Sequence, residues 1–296
     1  MLQTMVLATD LSRDWDLIVG CGADLRALGG SQAILTHVIV TKSLVGADES
    51  LRSAARLKLE EQKSQLESQG FEVIVETPVG RPAASLNEVA QEHHASLMVL
   101  GSHGKSAWRE MVLGSFSAAL LHNARFPVLL INVDRLMGGG REGSCQLRTS
   151  ELLRHVLFPT DFSEVAAGAT AYLEYLVPKG LSEVTVLHAL ETVYISPLSV
   201  LKQPDDAGQS EIGTVVKHIK DAGVPRVHGK ISKGHPVSRI MECLVTGDYS
   251  LVVMGAQGKS PLSEILLGSV AYNIARLAPC PVLLIPRKTE HRFPEL

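Results

Sequence analysis

Aromatic residues make up only 4% of this 296-residue sequence, so its interior must be built mainly from Leu, Val, Ile and Ala. Cysteine is scarce as well. Cys21, Cys145, Cys243 and Cys280 are scattered, with no C-x-x-C pair and no zinc-like spacing. That pattern argues against a zinc module and predicts isolated thiols acting as small apolar fillers in a reducing compartment. No apolar run approaches the roughly 20 residues of a membrane helix, and Met1 to Asp10 lacks the basic start of a signal peptide. The expectation is a cytoplasmic protein with no membrane partner. A net charge of -3 offers no bulk attraction for nucleic acid, so none is expected as a partner. With 45% hydrophobic and 20% charged residues, the chain has the composition of a folded protein and the length for two domains.

What the sequence does contain is a repeat. Ala8-Thr-Asp10-Leu-Ser12 returns as Pro159-Thr-Asp161-Phe-Ser163, and Leu35-Thr-His37-Val38 as Val186-Leu-His188-Ala189, both offset by 151 positions. Gly80-Arg-Pro82 returns as Gly234-His-Pro236, and Pro127-Val-Leu-Leu-Ile131 as Pro281-Val-Leu-Leu-Ile285, offset by 154. A period this long is a duplicated domain rather than a solenoid. The three-residue change in offset falls between His37 and Gly80, in a loop and helix where length changes are cheapest.

Each copy alternates strand and helix. In the first, strands are expected near 3–9, 33–40, 71–77, 96–101 and 126–132, and helices near 13–29, 49–69, 82–94 and 114–124. The strands are near-continuous apolar runs, as in a parallel sheet covered on both faces. The segment 49–69 places Leu51, Ala55, Leu59 and Leu66 on one face of a surface helix. The expected fold is therefore α/β, with two similar doubly wound domains at 1–134 and 148–288. A Gly-rich linker at 135–147 joins them, and 289–296 is a polar tail. The stretch 194–213 reads as looser, a long loop or lid.

The segments that point to chemistry are two glycine loops. Gly101-Ser-His-Gly104, nine residues and then Gly114-Ser115 follow one apolar run; Gly255-Ala-Gln-Gly258, nine residues and then Gly268-Ser269 follow another. A strand, a glycine loop and a helix start let backbone approach a ligand closely and aim unpaired N–H groups at an anion. Asp10 and Asp161 end the first strand of each copy, at the sheet edge where such folds bind ligands. There a carboxylate accepts from a ribose hydroxyl or base amino group, or else caps the next helix with Ser12 or Ser163.

Other residues are less decisive. Lys105-Ser106 and Lys259-Ser260 resemble the end of a Walker A loop, but that motif needs glycine where Val99 and Val253 stand. Either lysine reaches a phosphate or sits in solvent; spacing alone does not choose. His37 and His188 end the second strands beside the Asp, an Asp–His pairing that invites a hydrolase reading. No Ser or Cys occupies a nucleophile elbow to complete it, and a histidine tucked at a strand end is the simpler account. His103 is replaced by Gln257, and adjacent His93 and His94 read as surface residues.

These residues together resemble the universal stress protein family: a first strand ending in Asp, a second ending in His, and G-x2-G-x9-G-[ST] in each half. The resemblance implies a five-stranded parallel sheet of order 3-2-1-4-5 per domain, with the last strands, near 126–132 and 280–286, pairing either the two domains of one chain or two chains in a homodimer. It implies ATP or AMP as ligand, with Mg2+ or Mn2+ carried on the phosphates rather than by protein ligands. By position, Asp10 and Val38 face adenine and ribose, with Gly101, Gly104, Gly114, Ser115 and Phe116 on the phosphates. In the second copy the matches are Asp161, Ala189, Gly255, Gly258, Gly268, Ser269 and Val270. Phe116 replaces the usual small β-branched residue and Ala189 the usual valine.

The function expected is a stress-response module whose bound nucleotide alters its conformation or its unidentified protein partner. No residue resembles an efficient general base at the phosphates, so no catalytic residue is assigned and hydrolysis is slow at most. A nucleotide-independent interaction module is the alternative. An adenine-nucleotide enzyme of the α-type ATP-pyrophosphatase kind, or an electron-transfer flavoprotein, of the same superfold is a third; the missing S-G-G-x-D-S loop argues against the pyrophosphatase, and a colourless purified protein would argue against the flavin.

Overall fold

The computed structural model describes residues 2–40, 48–101, 115–132, 152–191, 206–259 and 267–287. In the first copy the elements are β1 (Thr4–Ala8), α1 (Arg13–Gly20), α2 (Gly22–Ala27), β2 (Gln32–Thr36), α3 (Asp48–Ser68), β3 (Glu72–Glu76), α4 (Pro82–Glu92), β4 (Leu97–Gly101), α5 (Ser115–Asn123) and β5 (Val128–Ile131). The second copy runs β6 (Val156–Pro159), α6 (Glu164–Leu176), a short 3-10 turn (Val177–Lys179), β7 (Glu183–Leu190), α7 (Asp206–Asp221), β8 (Arg226–Lys233), α8 (Pro236–Thr246), β9 (Leu251–Gly255), α9 (Ser269–Leu277) and β10 (Val282–Ile285).

The ten strands among the described residues form one sheet, ordered β3-β2-β1-β4-β5-β10-β9-β6-β7-β8. Each half has the order 3-2-1-4-5 and is parallel within itself. The halves meet at β5 and β10, which run antiparallel with Leu130 opposite Val282, Leu129 opposite Leu283 and Val128 opposite Leu284. The last strands thus join the domains within one chain and bury what would otherwise be two sheet edges.

Alternation along each strand divides the core into two layers. Met5 and Leu7 pack with Trp15, Ile18, Leu59 and Leu66 under α1 and α3, and that layer continues to Leu173, Leu176 and Ile219 under α6 and α7. Val6 and Ala8 point to the other side, toward Leu86, Leu120 and Leu121, and that layer continues to Ile240, Leu244 and Ile274 under α8 and α9. Because both layers cross the β5–β10 seam, the two halves share their apolar interior. Pro82 and Pro236 open α4 and α8, where the missing N–H of proline has no intrahelical role.

Three expectations change. The helix expected over 13–29 is two, because the chain turns at Cys21, whose N–H reaches back to the Ile18 carbonyl at 3.0 Å. The loose stretch expected over 194–213 is helix from Asp206 onward, and 192–205 lies outside the described residues. Isolated thiols hold for Cys243 and Cys280, which are free and buried, but Cys21 is disulfide-bonded. Spacing along a chain carries no record of which thiols meet in space. Cys145, the linker and the tail lie outside the described residues. Among the described residues, no helix is long and apolar enough to cross a membrane.

Candidate functional site

The carboxyl ends of β1 and β6 are built alike. After β6, the Thr160 Oγ1 accepts from the Phe162 N–H at 3.0 Å and the Asp161 Oδ1 from the Ser163 N–H at 3.0 Å. The matching bonds in the first copy, Leu11 N–H to Thr9 Oγ1 and Ser12 N–H to Asp10 Oδ1, are 3.0 and 2.9 Å. In both turns the residue after Asp takes a left-handed backbone, φ 61° at Leu11 and 59° at Phe162. A bulky residue there is strained, and the paired side-chain bonds hold it in place. The Asp is therefore a turn-former, and the helix cap is the serine that follows. Ser163 Oγ accepts from Ala166 N–H at 3.3 Å, whereas Ser12 makes no such bond.

His188 and His37 do not pair with the aspartates. Their Nδ1 atoms lie 2.8 and 2.9 Å from the carbonyls of Thr160 and Thr9, so each imidazole donates to a strand end and ties β7 to β6, or β2 to β1. Among the described residues neither histidine is bonded to its aspartate, and the simpler account, a histidine tucked at a strand end, holds.

In the second copy the glycine loop closes over this turn. Lys259 N–H donates to Asp161 Oδ2 at 3.0 Å, so each oxygen of the carboxylate is held by a main-chain N–H. Ala256 N–H donates to Ile285 O at 2.8 Å, and Gly268 N–H to Ala256 O at 2.7 Å, drawing the start of α9 onto the loop. Between loop, turn and helix lies a cavity of about 300 Å³. Leu187, Pro236, Ile240 and Met254 are among its apolar walls. Thr160, Asp161, Gly258, Lys259, Gly268 and Ser269 supply polar or open positions. Ser269, Val270 and Ala271, whose N–H groups open α9 without intrahelical partners, also line it.

All seven residues expected in this copy, Asp161, Ala189, Gly255, Gly258, Gly268, Ser269 and Val270, line that one cavity. The three glycines differ in what requires them. A Cβ at Gly255 would lie 3.0 Å from Val165 Cγ1, so glycine lets α6 approach β9. One at Gly258 would lie 2.6 Å from Asp161 Oδ2 and push the carboxylate out of its bonds. Among the described residues, one at Gly268 meets nothing closer than Ala256 O at 3.4 Å, an ordinary contact, and the backbone there has an unremarkable φ of -72°. Nothing among the described residues requires glycine at 268.

In the first copy, Asp10 stands at the end of the β1 turn, Val38 is buried beyond β2 and Gly101 ends β4, where its carbonyl accepts from Ser117 Oγ at 2.8 Å. The backbones of Ser115 and Phe116 open α5, but their side chains, like Gly104 and Gly114 altogether, lie outside the described residues. Sequence reasoning missed the wall formed by Pro236 and Ile240 on α8. The duplicated Gly234-His-Pro236 was its signal, legible as a repeat marker but not as a site. Among the described residues, no group of three or more His, Cys, Asp or Glu side chains is placed to hold a metal.

A pair of doubly wound domains fused through their last strands, with a glycine-fronted cavity at the switch point of the sheet, defines a tandem doubly wound α/β protein. The family model described as the universal stress protein family matches residues 1–132 and 153–286, and the chain belongs to that family. A universal stress protein of Methanocaldococcus jannaschii is 30% identical over 146 residues, 46% of this chain and 84% of that protein. One of Mycobacterium bovis is 27% identical over 263 residues, 86% of this chain and 76% of its own length. The crystal structure of a universal stress protein from Archaeoglobus fulgidus superposes with a TM-score of 0.77 at 23% identity, covering 97% of this chain and 99% of that one, and so shares the fold.

Proposed function

We propose that this protein binds an adenine nucleotide, ATP or AMP, in the second-copy cavity and, through the repeated motif, in the first. It then acts as a cytoplasmic, nucleotide-dependent regulatory or interaction module of the stress response. The observation that carries this is Gly268: neither packing among the described residues nor backbone conformation asks for glycine there, which supports a ligand lying against the start of α9. Three unpartnered N–H groups at the positive end of that helix suit a phosphate, and the apolar rear wall suits a base. At about 300 Å³ the cavity falls at the lower end of ligand-site volumes.

A divalent cation, Mg2+ or Mn2+, would ride on the phosphates, since the one carboxylate among the described lining residues already has each oxygen engaged. The same engagement leaves Asp161 a poor general base, which supports slow hydrolysis at most. Isothermal titration with ATP, AMP and buffer tests the assignment; no heat from any nucleotide overturns it.

One observation favours the nucleotide-independent module: Gly255, Gly258 and Asp161 are accounted for by contacts inside the protein. Under that reading, filling the glycine positions leaves capture of the protein partner, or of a second copy in a homodimer, unchanged. Under ours, Gly268→Trp abolishes the nucleotide dependence of either association.

A further inference from the structure

We infer that Lys259 is the residue that reads phosphate charge in the second cavity, and that Phe162 holds its ammonium group aside until a phosphate arrives. This rests on the nucleotide assignment above and adds to it a cation with a resting position. Among the described residues lining the cavity there is one cationic side chain, Lys259, and one anionic, Asp161. Asp161 faces the loop and accepts the Lys259 main-chain N–H at 3.0 Å, which anchors the lysine Cα beside the cavity and leaves its side chain exposed.

The ammonium nitrogen lies 5.9 Å from the centre of the Phe162 ring, within cation–π range. That ring is a firm seat. Its residue is locked in the left-handed turn by the bond to Thr160 Oγ1, and it packs on the His188 ring at a centroid distance of 4.3 Å. His188 is itself tied to the Thr160 carbonyl. The seat is rigid and the hold is weak, because an exposed cation–π contact is worth much less than a charge-assisted hydrogen bond to a phosphate. A phosphate therefore draws the lysine off the ring. Phe162 does not itself line this cavity, so its effect on the ligand passes through Lys259. Leu11 holds the matching turn position at φ 61°, which shows that leucine fits this backbone and lacks only the ring face.

The test compares ATP with adenosine, which offers the same base and sugar without phosphate, by calorimetric titration of the whole chain. Lys259→Met keeps the main-chain bond to Asp161 and is expected to weaken ATP roughly tenfold or more while adenosine changes by less than about twofold. Phe162→Leu is expected to tighten ATP by about two- to fivefold, again sparing adenosine. Mass-spectrometric mapping of amine acetylation in the unmodified protein should show Lys259 protected by ATP and not by adenosine. Equal losses for both ligands, an unchanged ATP affinity in Lys259→Met, or no tightening in Phe162→Leu overturns the inference while leaving nucleotide binding intact. Failure of the wild-type protein to bind either ligand instead overturns the assignment beneath it.

Discussion

The glycines at 258 and 268 carry opposite predictions, and together they separate what the fold requires from what a ligand requires. An alanine methyl at 258 falls 2.6 Å from Asp161 Oδ2, so the carboxylate must rotate away and release the Lys259 N–H. A hydrogen bond to a charged acceptor is worth about 1.5–3 kcal/mol. Asp161 is half-buried, so water recovers part of the loss and the net cost of Gly258→Ala should be about 1–2 kcal/mol. For a chain of this size that is a fall of roughly 2–8 °C in Tm.

At 268 the same methyl finds 3.4 Å of room, and Gly268→Ala should change stability by less than about 1 kcal/mol, the difference between glycine and alanine at a helix N-cap. It points toward the loop Ala256–Gly258, however, across the front of the cavity. If a phosphate lies there, the overpacking should cost about 1–3 kcal/mol of binding, or roughly 5- to 150-fold in Kd. Paired thermal unfolding and ATP titration decide between these effects. A Gly268→Ala protein as destabilised as Gly258→Ala refutes the steric reasoning, and one that binds ATP like wild type refutes the role given to the bare backbone.

Three further outcomes follow from the duplicated turns and one buried carboxyl. Ser163→Ala should lose about 1 kcal/mol of stability with the cap bond to Ala166. Ser12→Ala should lose none and gain up to about 1 kcal/mol, because the Ser12 hydroxyl is buried without a hydrogen-bond partner; denaturant unfolding of the pair checks both. Burial raises the Asp24 carboxyl from 3.8 to about 6, and its Oδ1 has no partner. The folded state therefore holds the proton more tightly than the unfolded one, and ionising it costs stability as pH climbs from about 4 to 6, by up to roughly 3 kcal/mol. Asp24→Asn should flatten that slope in denaturation curves taken across this range and raise stability at pH 7.

Much of this protein could be read without coordinates, because the signals involved are local. Apolar runs of four or five residues separated by helical periodicity name strands and helices whatever surrounds them. The repeat at offsets of 151 and 154 made two domains from one pattern. Asp161 and the glycines of the second loop were legible as candidate site residues, and as neighbours around one cavity, because a strand end, a glycine turn and a helix start are each marked within a few positions. Other features depend on residues far apart in the chain meeting in space, and no local pattern encodes them. The Lys259 N–H finds Asp161 from 98 positions away, and Pro236 and Ile240 reach the cavity because α8 lies across the end of β7. His188 bonds to a threonine carbonyl rather than to the neighbouring aspartate because the parallel register of β6 and β7 sets which atoms face each other. Likewise, the left-handed turn at Phe162 needs the side chains of Thr160 and Asp161 to pull from both sides, a balance of forces that exists only once the strand end is in place.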